Sequence, residues 1–186
     1  MVQLKDKEFE VYISHQDLTG RIQALASQIS QQYEGRCPLF VAILNGAFMF
    51  AAHLLQHISI PCEITFIKVA SYQALQSTGK ITELLGLNED ISGRDVIIVE
   101  DIVDSGLTME GIVASMKSQN PRSVQVATLL FKPQALRTSV ELHYVGFEIP
   151  NAFVVGFGLD YDGLGRNLQD LYVLKEKEEP VVKPLP

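Results

Sequence analysis

Two periodicities organise the apolar residues of this chain. Ile22, Leu25, Ala26 and Ile29 recur at i, i+3, i+4 and i+7, which predicts one buried face of a helix. Ser14 stands before them as a hydroxyl cap with Asp17 in the first turn, and Gly35 and Pro38 close the segment. Ahead of that helix, residues 1–8 are polar, and FEVYI at 9–13 alternates like a short strand. LFVAIL at 39–44 is an unbroken apolar run, the pattern of a strand buried on both faces. Asn45-Gly46 predicts a turn and residues 47–58 a helix, which Pro61 ends. EITFIKV at 63–69 alternates as a strand, and the polar, weakly patterned ASYQALQSTGK at 70–80 is expected to be a mobile loop. A loop at 88–94 leads into DVIIV at 95–99, a second fully apolar strand, and residues 108–119 read as a helix that Asn120-Pro121 closes. SVQVATLLF at 123–131 reads as a strand, and so do 147–150, FVVGFGLD at 153–160 and LYVL at 171–174. EKEEPVVKPLP at 176–186 is expected to fray.

Strands alternating with helices predict βαβ units. The expected fold is therefore α/β, with a central, mostly parallel sheet flanked by helices. At 186 residues the chain fits one domain at about 150 residues per domain. No shift in composition marks a second domain, beyond a small subdomain formed by the C-terminal segments with the N-terminus. The 47% hydrophobic and 20% charged content excludes a disordered or fibrous chain.

Fifteen basic and 22 acidic residues leave a formal net charge of −7, which argues against a protein that holds nucleic acid by neutralising phosphates. The first 25 residues mix charges and hold no apolar signal segment, and no run approaches the ~20 apolar residues of a membrane span. A soluble cytoplasmic chain without a membrane partner is expected. Cys37 and Cys62 lack CxxC spacing and read as small buried thiols. His53 and His57 lie at i, i+4 without an apparent third ligand and read as helix surface.

The chemistry is concentrated in VIIVEDIVDSGLTMEGI at 96–112. An apolar strand runs into the adjacent acids Glu100 and Asp101, and after Ile102 and Val103 come Asp104, Ser105, Gly106, Leu107 and Thr108 at the start of a helix. Ligands of open parallel sheets bind at the carboxyl ends of strands. Two carboxylates there repel one another beside an apolar core, and they make sense where hydroxyls or a metal share them. Gly106 admits close backbone approach, Ser105 and Thr108 add hydroxyls, and the first amides of a helix favour an anion. A nucleoside triphosphatase loop would need a lysine here, and none is present. The parts suit a terminal phosphate monoester held mainly by backbone donors.

VIIVEDIVDSGLT resembles the phosphoribosyl pyrophosphate signature of the type I phosphoribosyltransferases. SY at 71–72, LLFKP at 129–133, VGFEIP at 145–150 and FVVGFGLDY at 153–161 bring the resemblance closest to the branch that salvages 6-oxopurines. It covers about residues 10–175. It implies a hood over about 1–15 and 150–175 above a single domain spanning 1–186, and transfer of the 5-phosphoribosyl group to hypoxanthine or guanine. It implies that Glu100 and Asp101 hold the ribose hydroxyls directly or through Mg2+. It makes Asp104 the general base at the purine imidazole, for which a helix cap is the reading from the residues alone. Residues 104–108 would bind the 5′-phosphate. Lys132 would donate to the purine 6-oxygen, Phe153 would stack on the ring, and the Val154 backbone would pair with its edge. Asp160 would lie near a pyrophosphate Mg2+ and the guanine amino group, and Arg166 would bind pyrophosphate. Leu44, Asn45 and Gly46 would form the pyrophosphate loop, with a cis Leu44–Asn45 bond at rest or on substrate binding. The family often has Lys or Arg where this chain has Asn45, which leaves main-chain amides as the binding groups there. Ser71 and Tyr72 would open a loop that closes over the site. The implied assembly is a homodimer or homotetramer. The alternatives are a regulator of nucleic acid built on the same fold, and a relative specific for xanthine or another base.

Overall fold

A computed structural model describes residues 1–69 and 83–175. The expected mobile loop with Ser71 and Tyr72, and the expected frayed tail at 176–186, lie outside the described residues. The chain runs β1 (Val2–Leu4), β2 (Lys7–Ile13), α1 (His15–Gln32), β3 (Leu39–Leu44), α2 (Phe48–Gln56), β4 (Glu63–Val69), β5 (Glu83–Leu85), β6 (Asp95–Val103), α3 (Leu107–Lys117), β7 (Ser123–Phe131), β8 (Tyr144–Glu148), β9 (Val154–Val155) and β10 (Leu171–Leu174). Ser14 caps α1, its hydroxyl accepting from the Asp17 amide. One face of α1 then buries Leu18, Ile22, Leu25, Ala26 and Ile29. Truncating any one of the large members to alanine would cost about 2–5 kcal/mol.

The central sheet has the order β5-β4-β3-β6-β7-β8. The pairs β3–β4, β3–β6, β6–β7 and β7–β8 are parallel, and β5 adds an antiparallel edge. This is the α/β, mostly parallel architecture that the apolar runs imply. Strand alternation splits the core into two layers. Phe40, Ala42, Ile97 and Val99 pack with α1 and α2. Leu39, Val41, Ile43, Val96 and Ile98 face the other way, onto Met109, Ile112 and Met116 of α3. A second, antiparallel sheet of order β1-β2-β10-β9 brings residues 2–13 together with 154–174.

Several expectations need correcting. β6 does not end at Val99 before the acids but continues to Val103, because β7 stays in register with it as far as the Val103–Phe131 pair. FVVGFGLD is a strand only over Val154–Val155. Gly156, Phe157 and Gly158 then take φ of 96°, 46° and 104°, a left-handed path that ends strand pairing. The expected strand at 147–150 is β8 at Tyr144–Glu148. Cys37 is exposed in the segment before β3 and Cys62 is only half-buried, not a buried pair. His53 is not simply helix surface. It is half-buried, with its ring 5.7 Å from His15 and 5.0 Å from Phe157.

Candidate active site

The functional residues gather where β6 and β7 end. Glu100 and Asp101 are consecutive on β6, and each carboxylate accepts the next amide: Asp101 N–H donates to Glu100 at 3.2 Å and Ile102 N–H to Asp101 at 2.8 Å. Burial, then the charge of Asp101, raises the Glu100 pKa well above the ordinary carboxylate value. Burial also raises Asp101, against a lowering contribution from the Arg166 charge. Two carboxylates thus share a site with too little positive charge beside them. A Cβ on Gly46 would overlap the Asp101 carboxylate, so the β3–α2 turn presses directly on the acid pair. The Leu44–Asn45 peptide in that turn is cis.

Asp104 follows β6. It does not cap α3, whose N-cap is Gly106 at φ 77°. Its carboxylate pairs instead with Lys132 Nζ at 3.0 Å. Lys132 sits at the end of β7, where its amide donates to Val103 at 3.0 Å, and it is only 7% exposed. A buried lysine needs a charge partner, and Asp104 supplies it. Ser105, Gly106, Leu107 and Thr108 turn the chain from β6 into α3, and the first N–H groups of a helix have no intrahelical acceptor. Thr138 and Leu136 pack where a side chain at residue 106 would go, and the Arg137 amide donates to Ser105 at 3.0 Å.

The opposite wall comes from 153–166. Phe153 is 46% exposed and Val154 buried. β9 is an edge strand, paired only with β10, so one side of its backbone is open to a ligand. Arg166 donates to Gly158 at 2.7 Å and pairs with Asp160 at 2.6 Å, and the Gly163 amide donates to Asp160 at 2.7 Å. Between the walls lies an open pocket of about 180 Å³ lined by Asp101, Ile102, Asp104, Lys132, Phe153, Val154, Leu159, Asp160 and Arg166. Seven of these are sequence candidates. Ile102 and Leu159 are additional: Ile102 lies near the end of β6 and Leu159 beyond the turn that follows β9, and only their neighbouring candidate acids could have marked them. Glu100, the 105–108 turn and the 44–46 turn flank the pocket without lining it.

Among the described residues no three His, Cys, Asp or Glu side chains stand close enough to hold a metal ion together. Glu100 and Asp101 stand together on β6, whereas Asp160 is engaged by Arg166 and the Gly163 amide.

Paired acids on a parallel strand that runs through a glycine turn into a helix define a phosphoribosyltransferase, and the phosphoribosyl transferase domain family matches residues 12–162. The chain is 44% identical over 165 residues to a hypoxanthine-guanine phosphoribosyltransferase of Mycobacterium tuberculosis, covering 85% of this chain and 82% of that one. With the Bacillus subtilis enzyme of the same name the identity is 37% over 167 residues, covering 89% and 93%. A crystal structure of a Bacillus anthracis hypoxanthine-guanine phosphoribosyltransferase superposes with a TM-score of 0.86 at 35% identity, covering 91% of this chain and 99% of that one. The chain belongs to the hypoxanthine-guanine phosphoribosyltransferase family.

Proposed function

We propose that the chain transfers the 5-phosphoribosyl group of phosphoribosyl pyrophosphate to hypoxanthine or guanine in purine salvage, giving IMP or GMP and pyrophosphate, with Asp104 as proton acceptor. The observation that carries the residue assignment is the Lys132–Asp104 pair at 3.0 Å facing Phe153 across the pocket. A 6-oxopurine has a carbonyl oxygen for Lys132, an imidazole N–H for Asp104 and a flat face for Phe153. The purine nitrogen attacks the anomeric carbon as the bond to pyrophosphate breaks. Its electrons leave with pyrophosphate, and the imidazole proton passes to Asp104. The amides and hydroxyls of 105–108 hold the 5′-phosphate. The 44–46 turn and Arg166 face the leaving pyrophosphate, which a planar guanidinium suits. The Val154 backbone pairs with the purine edge, with Asp160 beside the 2-position.

Mg2+ fits the donor set. Glu100 and Asp101 offer adjacent hard oxygens in a setting that already disfavours two bare negative charges. When bound, the ion would offset the negative charge of the departing pyrophosphate. A homodimer or homotetramer in the cytoplasm belongs to the same reading. Among the described residues no helix is long and apolar enough to cross a membrane.

Pyrophosphate release tests this, with Mg2+ and phosphoribosyl pyrophosphate present and hypoxanthine, guanine, xanthine, adenine or uracil offered singly. Turnover with hypoxanthine or guanine, sharply reduced in Asp104→Asn, is expected. Turnover with xanthine or uracil alone would overturn the assignment of Lys132 and Phe153.

A further inference from the structure

Phe153 presents 46% of its surface, yet its ring is closed in from behind. Tyr161 meets it edge-on, with centroids 5.8 Å apart and planes at 87°. Phe9 of β2, fully buried, stands 6.2 Å from Phe153 and 6.0 Å from Tyr161. Aromatic pairs prefer an edge-to-face arrangement over a face-to-face one, so the Tyr161 ring favours one angle of the Phe153 ring. Tyr161 lies outside the pocket lining, so its ring acts on a purine only through Phe153.

Tyr161 is itself held by the turn between β1 and β2. Its hydroxyl donates to Asp6 at 2.8 Å, Lys7 Nζ lies 5.8 Å from its ring centroid, and the neighbouring Asp162 pairs with Lys5. Lys5 and Asp6 of the turn and Lys7 at the start of β2 thus grip two consecutive residues that directly follow Asp160. The Asp6 carboxylate raises the Tyr161 pKa, which keeps the phenol a donor.

We propose that Tyr161 is a positioning residue for purine recognition: anchored by the β1–β2 turn, it sets the angle at which Phe153 meets the base. This rests on the reading of Phe153 as the purine platform. The groups assigned above to phosphoribosyl pyrophosphate lie on β6, α3 and the 44–46 turn, apart from Arg166, which is held by Asp160 and the Gly158 carbonyl rather than by Tyr161, so the effect falls on the base.

The test compares Phe153→Leu, Tyr161→Leu and Tyr161→Phe, with separate KM values for hypoxanthine and phosphoribosyl pyrophosphate. An edge-to-face pair is worth about 0.5–1.5 kcal/mol, so Tyr161→Leu should raise the hypoxanthine KM roughly two- to tenfold. Its phosphoribosyl pyrophosphate KM should stay at the wild-type value. Tyr161→Phe, which keeps the ring edge but loses the hydroxyl bond to Asp6, should recover part of that loss. Tyr161→Met, near in volume, replaces the leucine variant if that variant does not fold, with the same base-selective rise expected. A wild-type hypoxanthine KM in Tyr161→Leu, alongside a raised one in Phe153→Leu, would overturn the role of Tyr161. So would an equal rise in both KM values, the mark of general loosening. A wild-type hypoxanthine KM in Phe153→Leu would overturn the platform reading itself.

Discussion

Asp95 and Glu100 bound the same apolar run of β6, and they live in opposite circumstances. Asp95 is 3% exposed and fully engaged: Arg122 at 3.1 Å, Arg36 at 3.8 Å and the Ser123 hydroxyl at 2.7 Å surround its carboxylate. Glu100 has the next amide and a second carboxylate, Asp101, and burial, then that neighbouring charge, raises its pKa. Buried charge that the protein satisfies internally is structural. Buried charge that it leaves unsatisfied is an invitation to a ligand. The two ends of that apolar run therefore separate stability from function.

The comparison breaks or sharpens under substitution. Asp104→Asn should lower kcat by about 10²–10⁴-fold and, by leaving buried Lys132 without its charge partner, also lower the thermal midpoint, read by steady-state kinetics and calorimetry together. Asp95→Asn should cost about 1–3 kcal/mol of folding stability and leave kcat unchanged, as a urea titration beside a steady-state assay would show. Asp101→Asn should stabilise the ligand-free protein by up to about 1 kcal/mol, since it relieves repulsion, while raising the phosphoribosyl pyrophosphate KM by roughly tenfold. A destabilised, ligand-free Asp101→Asn would erase the contrast with Asp95.

The smallest effect concerns His53, whose pKa is lowered by burial and then by His15 and His57. The folded state then binds fewer protons than the unfolded state. Stability is full above the ordinary value near 6.5 and falls as pH drops through it towards the folded value. Thermal midpoints measured on acidification should fall, and His53→Asn should flatten that slope.

Local pattern carried much of the architecture. β3, β4, β7 and β10 lie where their apolar runs lie, because a strand with a continuous or alternating pattern needs no distant information. The acid pair and the 104–108 turn are contiguous, so one segment reveals them. The other wall was less legible. Residues 153–160 alternate like a strand, but the left-handed turn at 156–158 comes from close packing on the Asp170 and Gly46 carbonyls, which no local window contains. The partner of Asp104 lies 28 residues on, at Lys132. The rings behind Phe153 come from Phe9 and Tyr161. Pairing across distant segments is what the pattern leaves out.

The contact of Gly46 with Asp101, and of Gly158 with the Gly46 carbonyl, has a consequence for redesign. Three stretches of chain meet there without a side chain between them, so a single methyl at residue 46 or 158 would disturb the acid pair, the 44–46 turn and the far wall at once. Attempts to widen the range of accepted bases would find no tolerance at those glycines. Their room lies at Ile102 and Leu159, where trimming an apolar side chain enlarges the pocket and leaves that junction untouched.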